Sequence, residues 1–422
     1  MKKQLLTGSL MLAGVGAFAQ DAVAAAAPAQ VVPESALNMI FLFIGAVMVF
    51  SMHAGFAFLE LGTVRRKNQV NALQKIIFDW AVSTVVFFLI GYPIASGINM
   101  LDPKVIGAAN GVELMKYFFF LTFAACIPAI ISGGIAERAK FWPMVIANAI
   151  LAGLAYPFCH GALWSGKWGI ADAISSMGGG AFNDFAGSVV VHSLGGWLAV
   201  PAVILLGARR NRYTKGLPPA SNIPFLALGS WILCVGWFGF NVVSGLEMKT
   251  ASGLVAVNSL MAMVGGIICG LVVSKNDAGF THNGALAGLI AICAGSPNVH
   301  PLAALVIGGI GAIIFYFMFS IETEKFKIDD VLGVWPLHGI VGSWGGLAAG
   351  IFGHKSLGAQ NDVSFLSQLL GTVFVIVFAL VVGFIVFGVI KAIFGLKLND
   401  HDEMLGADRA IHEIEAYPED AL

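Results

Sequence analysis

Two stretches of the chain place an aspartate eight residues before a histidine. They read DFAGSVVVH at 184–192 and DVLGVWPLH at 330–338. A histidine inside lipid is unfavourable, so it normally faces an interior path or bonds a neighbouring helix. Packing against a neighbour is the alternative for either histidine alone. Two at matched positions favour a pore whose imidazoles hydrogen-bond each other and a small polar solute.

The spacing also predicts a depth. Eight helical residues rise about 12 Å, and the hydrocarbon core of a bilayer is about 30 Å thick. Each histidine is therefore expected near mid-membrane if its aspartate begins the helix. Asp184 suits a helix N-cap, and as an acid in apolar surroundings it is also a candidate for shaping a cation site. Neither histidine has metal-ligand neighbours such as HExxH, so we expect no metal and no cofactor.

The composition is that of an integral membrane protein. The 422 residues are 58% hydrophobic and only 11% charged, whereas globular domains are about 25% charged. A net charge of −1 argues against a nucleic-acid partner. We predict an all-α membrane protein with eleven transmembrane helices. The apolar segments run over about 35–62, 69–96, 111–137, 141–163, 184–207, 223–246, 251–274, 278–295, 300–321, 331–353 and 366–395.

The two ends of the chain differ from this body. Two lysines, an apolar run and the small-residue motif Ala17-Phe18-Ala19 predict a secretory signal peptide at 1–19, with 22–24 as an alternative cleavage site. The transmembrane domain is then 20–397. The polar residues 398–422 are predicted to form a cytoplasmic C-terminal tail.

Loop charges predict the orientation. Connections after the odd-numbered segments carry basic clusters such as 65–67 and 209–215, whereas the alternate loops hold only single lysines. The positive-inside rule then places the N-terminus outside and the C-terminus inside. The two Asp-to-His stretches approach the midplane from opposite faces. That arrangement predicts an inverted repeat of five plus five helices, with the eleventh as an addition.

Aromatic residues occur where a cation could be received. Phe119 and Phe123 are four residues apart and share one face of the third segment, and Trp164 ends the fourth. Taken singly, such residues are most often core or interfacial belt. In combination they can form a cation–π cage at an outer mouth. Each contact is worth roughly 0.5–2 kcal/mol, enough to select a weakly hydrated cation without trapping it.

These residues together resemble the ammonium transporter (Amt/Mep/Rh) family, in its bacterial Amt branch more than in Rh. The resemblance covers nearly the whole predicted mature chain. It rests on DFAGSVVVH, on GWFGFNVVS at 236–244, on DDVLGVWPLHG at 329–339, and on the stretch from Phe119 to Glu137-Arg138. It implies a homotrimer of eleven-helix protomers in the inner (plasma) membrane, each with its own pore. It also implies transport and no enzyme activity.

The resemblance implies roles for individual side chains. Ammonium would be recruited outside, lose a proton near a phenyl gate, and pass as ammonia along two histidines. Potassium would be rejected because it cannot donate hydrogen bonds. Whether the proton follows along the histidines is left open. The implied sites are the recruitment site at Phe119, Trp164 and Ser244 with Asp184 behind it, the gate at Phe123 and Phe240, and the twin-histidine pore at His192 and His338.

Several interpretations stay open at this point. Trp168 competes with Trp164 for the outer site. Glu60, in the first segment, is expected near the inner interface or paired, without an assigned function. The tail resembles the family's cytoplasmic tail, which packs under neighbouring protomers and contacts a PII signalling protein; a disordered acidic end is the alternative. The rival functions are an ammonium sensor with little flux and an Rh-like gas channel, although the aromatic mouth suits a cation better.

Overall fold

The computed structural model describes residues 34–107, 111–249 and 251–421. The chain divides into two compact units, Met1–Leu37 and Asn38–Leu422. Only residues 34–37 of the first unit are described, as the first turn of a helix. The predicted signal peptide at 1–19 lies outside the described residues. Apart from these residues at the start of the first helix, every element, contact and site described below lies in the second unit.

The described residues form helices and no β-strand, as expected for a chain whose backbone must satisfy its own hydrogen bonds in lipid. Eleven long helical runs carry the fold. They are α1 (Glu34–Thr63), α2 (Arg66–Ser96), α3 (Gly111–Ile135), α4 (Phe141–Leu163), α5 (Ser188–Leu206), α6 (Ile223–Val243), α7 (Ala251–Val273), α8 (Ala278–Ile292), α9 (Pro301–Lys325), α10 (335–352) and α11 (Phe365–Phe394).

Nine of these runs, within the described ranges, are long and apolar enough to cross a membrane. The other two are α8, a shorter apolar helix, and α10, which opens with the π-helical turn Trp335–Ile340 before Val341–Phe352. The runs fall on the eleven predicted segments. The number that span a bilayer, and their orientation in it, stay predictions.

An ion-pair cluster ties three connections together. Arg209, after α5, reaches Asp329 before α10 with Nη2–Oδ1 at 2.8 Å, and Glu137 after α3 with Nη1–Oε2 at 3.4 Å. Burial alone raises the pKa of Asp329, but the hydrogen bonds and charge of Arg209 outweigh it and lower that pKa to about 2. The carboxylate is therefore ionised at neutral pH.

The tail is docked on its own chain. Two short helices, α12 (Asp400–Leu405) and α13 (Ala407–His412), follow α11. The carboxylate of Asp408 accepts hydrogen bonds from the backbone amides of Val70 at 3.0 Å and Asn71 at 2.8 Å, in the first turns of α2. Lys67 Nζ donates to the carbonyl of Glu403 at 2.7 Å. A disordered acidic end is therefore not what the described part of the tail forms.

Candidate functional site

The two histidines lie side by side in the interior. The Nδ1 atoms of His192 and His338 are 3.3 Å apart, and the ring centroids are 5.4 Å apart at an interplanar angle of 30°. Their residues are 0% and 3% exposed. One imidazole donates and the other accepts, because a neutral ring carries one N–H and one lone pair. The pair therefore forms one hydrogen-bonded unit.

The same local device positions each histidine. Gly187 and Gly333, each three residues after its aspartate, have φ of +88° and +68°, which glycine adopts without steric cost. The turn lets each aspartate fold back onto the helix that follows. Asp184 Oδ2 accepts from the amides of Val189 and Val190 at 3.0 and 2.7 Å.

The second stretch repeats this pattern. Asp330 Oδ2 accepts from the amide of Trp335 at 2.8 Å, five residues on, as Asp184 does with Val189. His192 lies in the π-helical turn Ser188–Ser193 of α5, and His338 in the corresponding turn of α10. Such turns are rare and frequent at functional sites. The similarity of the two stretches thus extends from their sequence to their backbone.

The helices α5 and α10 approach each other closely at two glycines, Gly196 and Gly339. A Cβ at Gly196 would lie 2.0 Å from the backbone nitrogen of Gly339, the residue after His338. Small residues allow this close approach of helices in lipid. The hydroxyls of Ser193 and Ser343 are 2.9 Å apart and connect the same two helices. The crossing fixes the separation of the histidines.

Aromatic rings enclose His192. The indole of Trp237 stacks on it with centroids 5.0 Å apart at 25°, and Phe240 lies 5.3 Å away. Trp237 Nε1 donates to Cys293 Sγ at 3.3 Å, which holds the indole in place. The Nε2 atom of His192 is buried with no hydrogen-bond partner among the described residues. That nitrogen is free for a solute.

A closed pair of phenyl rings comes next. Phe123 on α3 and Phe240 on α6 stack with centroids 4.0 Å apart at 14°. Both residues are 0% exposed. The two helices therefore meet here through a close-packed aromatic contact.

Phe123 also lines a cavity of about 1210 Å³, which we name the wide cavity. Its lining includes Phe120, Phe123, His160, Trp164, Asp184 and Ser244. The Ser244 hydroxyl donates to the carbonyl of Phe240 at 2.7 Å, so its oxygen lone pairs are left to accept. Trp164 Nε1 donates to the backbone carbonyl of Asp184 at 2.7 Å and orients the indole.

The structure brings some expected residues to this cavity and not others. Phe119 is 0% exposed and does not line the wide cavity; its ring lies 4.8 Å from Phe123. The neighbouring Phe120 takes the lining position. Trp168 is 56% exposed, stacks on Phe158 at 4.9 Å and is also absent from the lining. Of the two competing tryptophans, Trp164 is the one at the cavity.

The lining residues His160 and Phe120 were not among the predicted site residues. His160 stands four residues before Trp164 on α4 and packs edge-on against Phe120 with centroids 4.6 Å apart. Its Nδ1 lies 3.1 Å from the hydroxyl of Tyr156. The i, i+4 spacing of His160 and Trp164 was the available signal, because such residues share one face of a helix.

With this geometry established, comparison with known proteins is decisive. The sequence profile of the Ammonium Transporter Family matches residues 40–417. The chain belongs to the ammonium transporter family. It is 39% identical over 401 residues to "Ammonium transporter Amt2" of Methanocaldococcus jannaschii, covering 92% of this chain and 93% of that one. It is 36% identical over 418 residues to an Amt2 of Archaeoglobus fulgidus, covering 92% and 89%.

A solved structure extends the ammonium transporter likeness to the fold. The structure titled "Sensor Amt Protein" superposes with a TM-score of 0.81 at 29% identity, over 90% of this chain and 98% of that one. Family membership and the apolar helices together make this a multi-pass membrane transport protein.

Proposed function

We propose that the protein carries ammonium nitrogen across the membrane through one pore per protomer, as ammonia past the two histidines. One observation supports this above the others: the sites form a continuous file. Phe123 lines the wide cavity and stacks on Phe240 at 4.0 Å, Phe240 lies 5.3 Å from His192, and the histidine nitrogens are 3.3 Å apart.

The wide cavity is the recruitment site in this proposal, and it opens to the outside. Trp164 and Phe123 present π faces, worth roughly 0.5–2 kcal/mol each to a desolvated cation. Ser244 accepts an N–H of ammonium with its free lone pairs. Asp184 adds negative charge behind the site, and Phe119 acts by packing against Phe123.

In this proposal ammonium loses its proton at the phenyl stack, and only ammonia continues beyond it. A charged ion at the bilayer centre costs several kcal/mol or more. Beyond Phe123 and Phe240 the path offers aromatic rings and neutral imidazoles, which stabilise an ion poorly. Ammonia is neutral and needs only hydrogen-bond partners, which His192 and His338 provide. Potassium is excluded because it cannot donate to an imidazole nitrogen.

We extend the proposal to assembly and location. The family resemblance supports a homotrimer in the inner membrane, with the signal peptide removed, the N-terminus outside and the tail inside. The contacts of Asp408 and Lys67 order the tail against the first turns of α2. An ordered tail of this kind is a suitable surface for a PII signalling protein.

The direct test is transport by the purified protein in proteoliposomes. Ammonium pulses should produce uptake, measured by internal pH together with current on a solid-supported membrane. Potassium pulses of equal size should produce neither signal. A protein that leaves both readouts silent to ammonium, while folded and trimeric by gel filtration, would overturn the proposal.

Sensing is the second candidate function, and one observation favours it. The structure titled "Sensor Amt Protein" covers 90% of this chain. A sensor would bind ammonium in the wide cavity with little flux. Saturable ammonium binding by calorimetry, combined with silent transport assays, would favour sensing over transport.

A further inference from the structure

A buried ion pair lies beside the path and has no role in the scheme above. Glu60 on α1 and Lys75 on α2 approach with Oε1–Nζ at 2.8 Å, and their side chains are 2% and 5% exposed. Ser132 on α3 donates its hydroxyl to the other oxygen, Glu60 Oε2, at 2.6 Å. Three helices thus converge on one carboxylate.

This carboxylate shares a cavity with the pore. A small cavity of about 10 Å³ is lined by Glu60, Asn283 and His338, together with apolar side chains such as Phe56 and Leu337. That volume is close to one water molecule, and a site with several polar groups suits one. The cavity therefore has room for one water molecule, and both the His338 ring and Glu60 border it.

The opposite side of the pair meets a second small cavity. Lys75, Ser132, Asp79 and Asn148 line it, along with apolar residues that include Phe141 at the start of α4. Asn148 Nδ2 donates to Asp79 Oδ1 at 2.6 Å, and Asp79 is 3% exposed. Polar groups therefore continue from His338 through Glu60 and Lys75 to Asn148 in the first half of α4.

A purely structural role explains this arrangement poorly. Replacing a buried ion pair by apolar residues is often neutral or stabilising, so the pair is weak evidence for stability. Ionisable residues within membrane helices more often mark ion or proton pathways. Glu60 also faces the cavity of the histidine that ends the file.

We propose that Glu60 accepts the proton that leaves ammonium, on the far side of His338, and that Lys75 and Asp79 pass it onward. The proposal rests on the proposed transport function and names its proton route. An N–H bond of His338 breaks and an O–H bond of Glu60 forms, with the water between them accepting one proton and donating another. His192 Nε2 takes the proton that ammonium loses at the phenyl stack, and the His192 Nδ1–H passes its proton to His338 Nδ1, so both rings end neutral.

The charges facing Glu60 are consistent with this transfer. Lys75 is the cation in contact, Ser132 is the neutral donor, Asp79 lies one turn beyond Lys75 on α2, and His338 closes the small cavity. The Glu60–Lys75 pair is neutral before transfer and carries one positive charge after it. Lys75 donates one ammonium proton to the Asp79 carboxylate across the cavity that both residues line, and it takes the Glu60 proton in its place, so the Glu60 O–H bond breaks and the pair is reset. Asp79 then releases its proton to water, which completes the transfer of one proton per ammonia.

The test separates current from ammonia flux in proteoliposomes. In Glu60→Gln we expect the ammonium-driven current to fall at least tenfold, while ammonia still enters and makes the lumen more alkaline than in wild type. The double variant Glu60→Gln/Lys75→Gln removes both charges. It should regain wild-type thermal stability and still lack current. The matched control is Glu322→Gln, a buried acid on α9 that does not line either small cavity. It should keep wild-type current.

Each other outcome has an assigned meaning. Wild-type current in Glu60→Gln or in the double variant overturns the proton route, because the pair is then structural. Three other results overturn it as well. They are a wild type that moves ammonia without current, a double variant in which current and ammonia flux fall together, and an equal loss of current in Glu322→Gln. A wild type with no ammonia flux at all instead overturns the proposed function.

Discussion

The two Asp-to-His stretches share a backbone and differ in surroundings. In both, a glycine with positive φ stands three residues after the aspartate, and the carboxylate caps a π-helical turn that holds the histidine. His192 is then enclosed by Trp237 and Phe240. His338 instead borders a cavity with the ionisable Glu60.

The different surroundings of His192 and His338 make the two sides of the histidine pair chemically unequal. A backbone repeat alone would make the two sides of the histidine pair equivalent. The aromatic side receives a solute from the wide cavity, and the ionisable side receives a proton. The repeated backbone thus positions the two imidazole rings. The side chains around them, which are not repeated, determine whether a ring contacts the solute or passes on a proton.

The largest expected effect is a loss of ammonium uptake when the aspartate cap common to both stretches is removed. Asp184→Ala and Asp330→Ala each remove a cap worth about 0.5–2 kcal/mol of stability and free a π-helical turn. We expect ammonium uptake in proteoliposomes to be abolished by either change. Asp184→Asn should fold and lose most of its flux, since an amide oxygen still accepts but carries no charge.

Thermal unfolding in detergent is the control for these variants. Near-normal uptake by both Asp184 variants would reduce that residue to a helix cap. A normal Asp330→Ala beside an inactive Asp184→Ala would show that the two stretches are not equivalent scaffolds.

The next effect concerns the rings themselves. His192→Asp or His338→Glu places a fixed negative charge in the pore and should admit potassium, which wild type excludes. The measurement is potassium current on a solid-supported membrane. Double alanine should block the proton path. Unchanged potassium exclusion in all of these variants would contradict the shared hydrogen-bonded unit.

A smaller effect is confined to the aromatic side. Trp164→Leu removes one cation–π contact and should raise the half-saturating ammonium concentration roughly 2- to 30-fold, the equivalent of about 0.5–2 kcal/mol. Trp168→Leu, outside the wide cavity, is the matched control and should leave it unchanged. The reverse result would move the outer site to Trp168.

The last effect concerns stability and leaves transport at neutral pH unchanged: it distinguishes the residues that precede each aspartate, Asn183 and Asp329. Arg209 lowers the pKa of Asp329 from 3.8 to about 2. A carboxyl group whose pKa is lower in the folded state stabilises the fold at pH values above its unfolded-state pKa. That stabilisation is lost as the pH falls through the folded-state pKa. We expect a loss of roughly 2 kcal/mol between about pH 4 and pH 2. Denaturant unfolding should show it in wild type and not in Asp329→Asn. An Asn183→Ala variant that flattens the same pH dependence would contradict the assignment.

The sequence predicts the helices and the histidine pair, but it does not predict every residue of the cavity lining or the buried ion pair. The eight-residue spacing identifies both histidines because the same glycine turn lies between each aspartate and its histidine. The expectation that each aspartate begins its helix is wrong, since the helical turns begin at Ser188 and Trp335. Phe119 was placed at the cavity where Phe120 lies, because one residue turns a helix by about 100° and α3 is apolar on all sides. Lys75 could not be named as the partner of Glu60, since that contact depends on how α1, α2 and α3 pack.

The contact of Asp408 with the start of α2 has a consequence for biosynthesis. The amides of Val70 and Asn71 are capped by a carboxylate that is encoded up to 338 positions later. At about 5–20 residues per second, the ribosome delivers that cap roughly 20–70 s after the helix it completes. During this interval those two amides donate to water instead. A chain clipped or stalled before Asp408 leaves both amides uncapped, so the start of α2 is fully bonded only after the tail has been made.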